Sequence, residues 1–219
     1  MSDYFLIFYK RWFNMKFIKK IPTADQSLKK QLLSYGWTIV KEPSNIWKSI
    51  LVSIPLMFFS ISIYLMLIFN INQSIYKYFD IQSGLFLTLR NINIFSIPLL
   101  LEVYIFTIAH ELIHLLFIPN ALKSDNVYLG ITPFYGFVYT SEQISKYRFL
   151  ISSIMPFFIL SIILPVLLNF FGFLTINTCL LCLLNALGSS VDLLNIILIC
   201  IQVPNKSMLI NNGFETYYK

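Results

Sequence analysis

The sequence predicts an all-α integral membrane protein: a bundle of about four transmembrane helices with a short β-like hairpin loop between the second and third. Three observations carry this. Of the 219 residues, 57% are hydrophobic and only 12% charged, whereas about a quarter of an ordinary soluble domain is charged. Four stretches, Ser49–Phe69, Ile94–Ile118, Phe149–Phe171 and Ile176–Val203, can each cross a hydrocarbon core of about 30 Å, which takes about 20 apolar residues at helical rise. Between the second and third, Asn126–Thr140 is rich in β-branched and aromatic residues, with Gly130, Pro133 and Gly136 as breakers. That is the composition of a hairpin. A soluble bundle of four buried helices is disfavoured because too little polar sequence remains to cover it.

Ahead of the first span, residues 1–48 read as a basic, amphipathic, cytoplasmic N-terminal segment, and residues 49–219 as one transmembrane domain. The first nine residues are mostly apolar, apart from Ser2 and Asp3, but too short for a signal-peptide core, and Lys10 and Arg11 follow them instead of preceding them. Nine of the sixteen Lys and Arg lie in residues 1–48; Lys77 and Arg90 lie between the first and second spans, and none between the third and fourth. The positive-inside rule then places both termini and the 119–148 loop in the cytoplasm of a multi-pass bacterial membrane protein. Trp12, Phe13, Phe17 and Ile18, interspersed with lysines, suit an arm lying on the anionic surface of the lipid bilayer, and nucleic acid is not expected as a partner. Ser27–Val40 reads as a short cytoplasmic element. Pro55, Pro98, Pro156 and Pro165 fall in or beside spans, where they kink or end helices. Cys179 and Cys182 spell C-x-x-C inside an apolar span and read as small hydrophobic thiols, with Cys200 nearby. Nothing in the sequence specifies an oligomeric state.

The second span contains His110-Glu111-Leu112-Ile113-His114, an H-E-x-x-H pattern. On a helix, residues four apart stand on one face, so both imidazoles reach one cation. Glu111, rotated about 100° from His110, stays off the metal and faces the water that zinc would activate, as a general base. These are the only histidines in the chain. Ionisable groups inside a span are expensive and point to function; the structural alternative is hydrogen bonding between helices.

Catalytic zinc usually takes three protein ligands. Asn120 and Phe117 exclude the extended motif with a third histidine. Of the acidic residues, Glu102, Glu111 and Asp192 lie in spans, and Asp192 is the better third ligand. It shares a helical stripe with Asn185, Gly188, Ser189 and Asn195, which predicts close helix approach at Gly188 and Ser189 and presents Asp192 to a neighbour. The bland alternative is a packing seam. Asn185 and Asn195 are candidates to orient Asp192 or hold a substrate carbonyl, with Ser189 beside them. Glu102 lies about 12 Å along the axis from His110, too far to share a metal, and has no assigned catalytic role.

The pairing of HELIH in one span with a later intramembrane aspartate resembles the site-2 protease group of intramembrane zinc peptidases. More closely, HELIHLLF, the loop carrying Gly130, Pro133 and Gly136, then KYRFLISSIMPFFIL and SSVDLLNIILICIQVPNKSMLINNGFETYY resemble the bacterial putative zincin peptidase family of unknown function. This resemblance covers about Ile94 to Tyr218. It implies a helix bundle with zinc held by His110, His114 and Asp192 and Glu111 as base, acting on a membrane protein or peptide substrate in or near the bilayer. The Asn-Pro and Asp-Gly elements of site-2 proteases are missing around Asp192. Two other classes stay open at this stage: an inactive metal-binding membrane protein with an immunity, regulatory or transport role, and a pore or proton carrier using Glu102 and Asp192.

Overall fold

The computed structural model describes residues 16–73, 96–132 and 135–219. Trp12, Phe13, Lys10, Arg11, Lys77, Arg90, Ile94 and Pro133, each invoked above, lie outside the described residues. In chain order the elements are β1 (Lys16–Phe17), α1 (Gln26–Ser34), β2 (Thr38–Ile39), α2 (Ile46–Ile71), α3 (Ile97–Phe117), β3 (Val127–Ile131), β4 (Gly136–Thr140) and β5 (Ile144–Ser145). There follow α4 (Lys146–Pro156), a π-helical stretch (Phe157–Ile163), α5 (Leu164–Phe170), α6 (Ile176–Gly188), α7 (Ser190–Gln202), β6 (Met208–Asn212) and β7 (Glu215–Tyr218).

Four helical spans, Ile46–Ile71, Ile97–Phe117, Lys146–Phe170 and Ile176–Gln202, are long and apolar enough to cross a bilayer. They match the four predicted stretches to within three residues at each end, and the hairpin is present as β3 and β4. Caps set their starts. Asn45 accepts the Lys48 amide at 3.0 Å ahead of α2, Ser96 caps α3 with Pro98 in its first turn, and Thr175 and Thr178 form a capping box at α6. The last span ends where the buried Lys146 ammonium donates to the Val203 carbonyl at 2.6 Å, a cation on exposed helix-terminal carbonyls.

Packing runs through small and polar residues. The α2 helix lies on α6 and α7, and α3 lies on α4, α6 and β4. Where α2 meets α7, the Ser53 and Ser190 hydroxyls are 3.2 Å apart, and the buried Tyr64 hydroxyl donates to the Cys179 carbonyl at 2.8 Å. Cys179 and Cys182 sit with Tyr64, Ile68, Phe157 and Ala186 in this apolar core. The expected close approach at Gly188 is not there: a Cβ added to it would meet nothing within 4 Å. Ser189 instead turns its hydroxyl back to the Asn185 carbonyl at 2.8 Å with ψ near −4°, and such back-bonding bends helices. The fourth span is therefore two helices jointed at Ser189, and Gly188 lies at the joint.

Two small sheets cover one end of the bundle. One has the order β1-β3-β4, and the other β2-β7-β6-β5. Both the first and the last described residues are thereby tied down: β1 runs parallel to β3, and β2 pairs with β7 through Thr38↔Tyr218 and Ile39↔Tyr217. At Gly213 (φ +63°) a side chain would also collide with the backbone of Pro22 and Ala24 at 2.7 Å. Glu42, just before α2, joins this tie: its Oε1 accepts the Thr216 amide at 2.5 Å and its Oε2 the Thr216 hydroxyl at 3.3 Å. Burial, aided by the nearby Glu215 charge and opposed by the two Thr216 bonds, raises the Glu42 carboxyl from 4.5 to about 7.

A carboxyl raised on folding binds its proton more tightly in the folded state, so stability is lost as pH rises from about 4.5 to about 7. Glu42→Gln is neutral throughout. The two proteins should melt alike near pH 4, and at pH 8 the wild type should be the less stable, by about 3 kcal/mol at most. Thermal unfolding at the two pH values checks this, and a gap that does not change with pH counts against it.

Candidate metal centre

The centre is built on the last two turns of α3. His110 and His114 project from one face, one turn apart, toward Asp192 in the first turn of α7. His110 Nε2 lies 3.3 Å and His114 Nε2 3.6 Å from Asp192 Oδ2, and the two Nε2 atoms are 3.2 Å apart. Among the described residues these three form a group able to hold one metal ion.

The far side of each ring decides what the near side can do. His114 Nδ1 lies 2.9 Å from the Ser152 carbonyl, which can only accept, so Nδ1 carries the proton. His110 Nδ1 lies 2.8 Å from Asn185 Oδ1; the Asn185 amide nitrogen donates to the Pro156 carbonyl at 3.2 Å and the Ser161 hydroxyl at 2.8 Å, which fixes Oδ1 as the acceptor. Both Nε2 atoms then present lone pairs to the same point as the carboxylate oxygen. With both rings neutral, no hydrogen stands between the two Nε2 atoms, and a cation satisfies such a donor set. A tetrahedral zinc with ligands at about 2.0–2.1 Å separates them by about 3.3–3.4 Å, close to the three spacings found. The residues fit zinc.

The second-row partners come from a local break in α4. Within an α-helix the Ser152 carbonyl would accept the amide of residue 156, but residue 156 is proline and has no N–H. That carbonyl is left free for His114, and the Ser152 hydroxyl returns a bond to the His114 carbonyl at 3.1 Å. The π-helical stretch follows directly, and its Ser161 both accepts from Asn185 and donates to the Cys182 carbonyl at 2.9 Å. One further turn of widened helix thus buttresses the ring of His110.

Glu111 is 5% exposed and lines the cavity together with His110, His114 and Asp192. Opposite it, Gly136 opens β4: a Cβ there would stand 2.5 Å from Glu111 Cγ and 2.6 Å from Oε1. Glycine is needed at this position for close approach, and the expected breaker proves to be the floor of the Glu111 carboxyl. Of the other predicted residues, Asn195 lines the cavity. Asn185 was expected to orient Asp192 or a substrate carbonyl; it lies behind the site and holds His110. Ser189 is fully buried and bonds only within its own helix. Glu102 stands apart, its Oε2 buried without a hydrogen-bond partner among the described residues. Ser152, Pro156, Ser161 and Gly136 were not singled out from sequence as parts of the site, although the spacing of Ser152 and Pro156 carried a signal.

The cavity measures about 470 Å³ and is walled by α2, α3, α4, α7, β4 and the β6–β7 hairpin. On β4, the bonds Ser141 N to Asn126 O and Thr132 N to Tyr135 O set the alternation of the antiparallel ladder. With Leu129↔Val138 and Ile131↔Gly136 opposed, the peptide groups of Gly136, Val138 and Thr140 face away from β3. The Thr140 carbonyl accepts from Asn211 Nδ2 at 3.2 Å; among the described residues no strand pairs with Gly136 or Val138 on this edge.

Residues 103–208 match a family model described as "Putative zincin peptidase". The match covers just under half of the chain and takes in His110, Glu111, His114, Gly136, Ser152, Pro156, Asn185 and Asp192, and over that stretch it bears out the resemblance read from sequence. Neither a curated protein nor a solved structure is matched.

Pro156→Ala should restore the helical bond to Ser152 and take its carbonyl from His114. Zinc affinity should fall about 10-fold or more, in line with the loss of other outer partners of metal-binding histidines. Metal titration against a competing chelator measures it, and unchanged affinity would mean that the freed carbonyl does not orient the ring.

Proposed function

We propose that this chain, matched over residues 103–208 by the putative zincin peptidase family, is a membrane-embedded zinc metallopeptidase that hydrolyses a peptide bond in or near the bilayer. The observation that carries the reading is the convergence of His110 Nε2, His114 Nε2 and Asp192 Oδ2 within 3.6 Å of one another, beside a buried glutamate on a four-helix membrane scaffold. His110, His114 and Asp192 would hold the ion. Bound zinc supplies a Lewis acid that polarises the scissile carbonyl and lowers the pKa of an attacking water.

The chain's own residues do the rest. Asn185 and Ser152 keep both Nδ1 protons on the outer side and so keep the inner nitrogens free. Glu111, seated on Gly136, accepts a proton from water in the cavity and returns it to the departing amine. The Gly136 and Val138 peptide groups offer donors and acceptors to an extended substrate, which would add to β4 as a further strand. A helical membrane segment must unwind to use that edge, because its own hydrogen bonds occupy its carbonyls. In this reading the protein resides in the bacterial cell membrane with both termini in the cytoplasm, and the cleft opens near that face.

Zinc analysis and a proteolysis assay on the purified protein test the proposal together. Glu111→Gln should keep stoichiometric zinc and lose at least 100-fold in turnover, whereas His110→Ala should lose the metal. A Glu111→Gln protein that retains its full biological effect would favour a metal-binding protein without catalysis.

Val138→Pro removes one outward amide and leaves the inner ladder to β3 intact, since Pro is tolerated on an edge. We expect kcat/KM to fall about tenfold with zinc content unchanged. Undiminished cleavage would rule out strand addition at β4.

A further inference from the structure

We infer that Glu42 is a recognition residue for a cationic group of the substrate, an ammonium or a guanidinium, which it meets in the cavity that also holds the candidate metal centre. This rests on the peptidase reading for the word substrate; the charge argument itself does not.

Three carboxylates line the cavity, Glu42, Glu111 and Asp192, and among the described lining residues there is no Lys or Arg. A divalent ion at the histidines would offset Glu111 and Asp192. Glu42 is left over. Three lysines of neighbouring elements are engaged elsewhere: Lys29 Nζ binds Glu215 Oε1 at 2.6 Å, Lys146 binds the Val203 carbonyl, and Lys219 binds the Tyr35 carbonyl at 2.9 Å. Among the described residues none forms an ion pair with Glu42.

Its geometry suits a fixed acceptor. A carboxylate has about four lone-pair sites, and Thr216 fills one on each oxygen through its amide and its hydroxyl. One site on each oxygen remains, and the two bonds hold the group still, so a ligand need not order it. Glu215 does not take the role, since it is not among the lining residues and its charge is already paired with Lys29 Nζ at 2.6 Å. A cavity of about 470 Å³ falls in the range of small-ligand sites and accommodates a side chain or chain end beside the bond to be cut. A cation placed there exchanges water for a charge-assisted bond in a partly dry site. The same carboxylate is disfavoured in its charged form while it is alone, which is the state a cationic ligand would reverse.

The probe is a set of quenched fluorescent apolar peptides that differ at one position near the cleaved bond, as Lys, Arg, norleucine or Glu, each with a free or an acetylated N-terminus. They are assayed at pH 8 with the full zinc-loaded chain in detergent. We expect Lys or Arg peptides to exceed norleucine peptides about tenfold in kcat/KM, and this ratio to fall to about one in Glu42→Gln. In Glu42→Lys the preference should shift toward the Glu peptides. If the advantage follows the free N-terminus instead, the ammonium recognised is the chain end; if it follows the side chain, it is Lys or Arg. Zinc content equal to wild type shows that each variant is folded. Should the zinc-loaded wild type cleave none of the peptides, the peptidase reading fails separately, and the same ratios are read as affinities on Glu111→Gln by fluorescence anisotropy. A wild type indifferent to cations, or a Glu42→Gln protein that keeps the preference, overturns the inference.

Discussion

Two imidazoles and two carboxylates inside apolar helices cost several kcal/mol apiece unless their donors and acceptors are matched, and much of the structure around α3 follows from that matching. The inner nitrogens and the Asp192 oxygen converge on one point, where a cation would match all three. The outer nitrogens need acceptors, and a regular helix has none to spare, because each carbonyl is already bonded four residues on. Pro156 releases one carbonyl, at Ser152, and that one is placed on His114. Asn185 supplies the other acceptor and is itself held from two sides. Pro156, the π-helical stretch after it and the joint at Ser189 are thus parts of one arrangement, in which helical regularity is broken where polar atoms must reach sideways.

Behind the rings the site is rigid and dry, and in front of them it is open. The rear wall is helix against helix, with Asn185 only 7% exposed. The front wall is made of β4 and the β6–β7 hairpin, and here the two ends of the chain matter. The β1 strand braces β3 from the side opposite β4, and β2 braces β7, so that neither small sheet stands as an isolated hairpin, which is marginal in water. Tyr139 links them: its hydroxyl accepts the Gly213 amide at 3.2 Å and donates to the Asn211 carbonyl at 3.3 Å. The position of Gly136 against Glu111 is set by this bracing as much as by α3.

The spans and the metal motif were legible in the sequence because both depend on short-range periodicity. Twenty apolar residues and a spacing of four survive without knowledge of the partner. Asp192 was legible by elimination, since few acids lie in the spans. The role of Asn185 was not, because a polar stripe gives the face of a helix and not the neighbour it meets; the joint at Ser189 further alters that stripe. Strands of two residues such as β1 and β2 have no period to detect, and the pairing of β2 with β7 spans almost the whole chain. The carbonyl released at Ser152 could have been read from the proline four residues later, a local rule that needs no partner. The need for glycine at 136 could not, as it arises only when β4 is set against α3.

On the proposed reading, a hydrolytic centre in a membrane protein must solve a supply problem, since its second reactant is water. The helices of the spans offer no route on their own: the cores around Tyr64 and Cys182 are closed and apolar. The cavity instead opens between the bundle and the sheets, where Glu42, Thr140, Asn195, Asn211 and Thr216 line it together with the metal-site residues. These groups hydrogen-bond to water as readily as to peptide, so in the proposed reading the polar front that would admit a substrate would also wet the site. The same front explains why the covering elements are strands. Helices present side chains, whereas an open strand edge presents backbone donors and acceptors, and the unwound peptide proposed as substrate would need partners for its own backbone. With Gly136 set against Glu111 and both lining the cavity that holds the histidines, the proposed reading brings the demand for water, the demand for backbone partners and the metal centre to the same few residues.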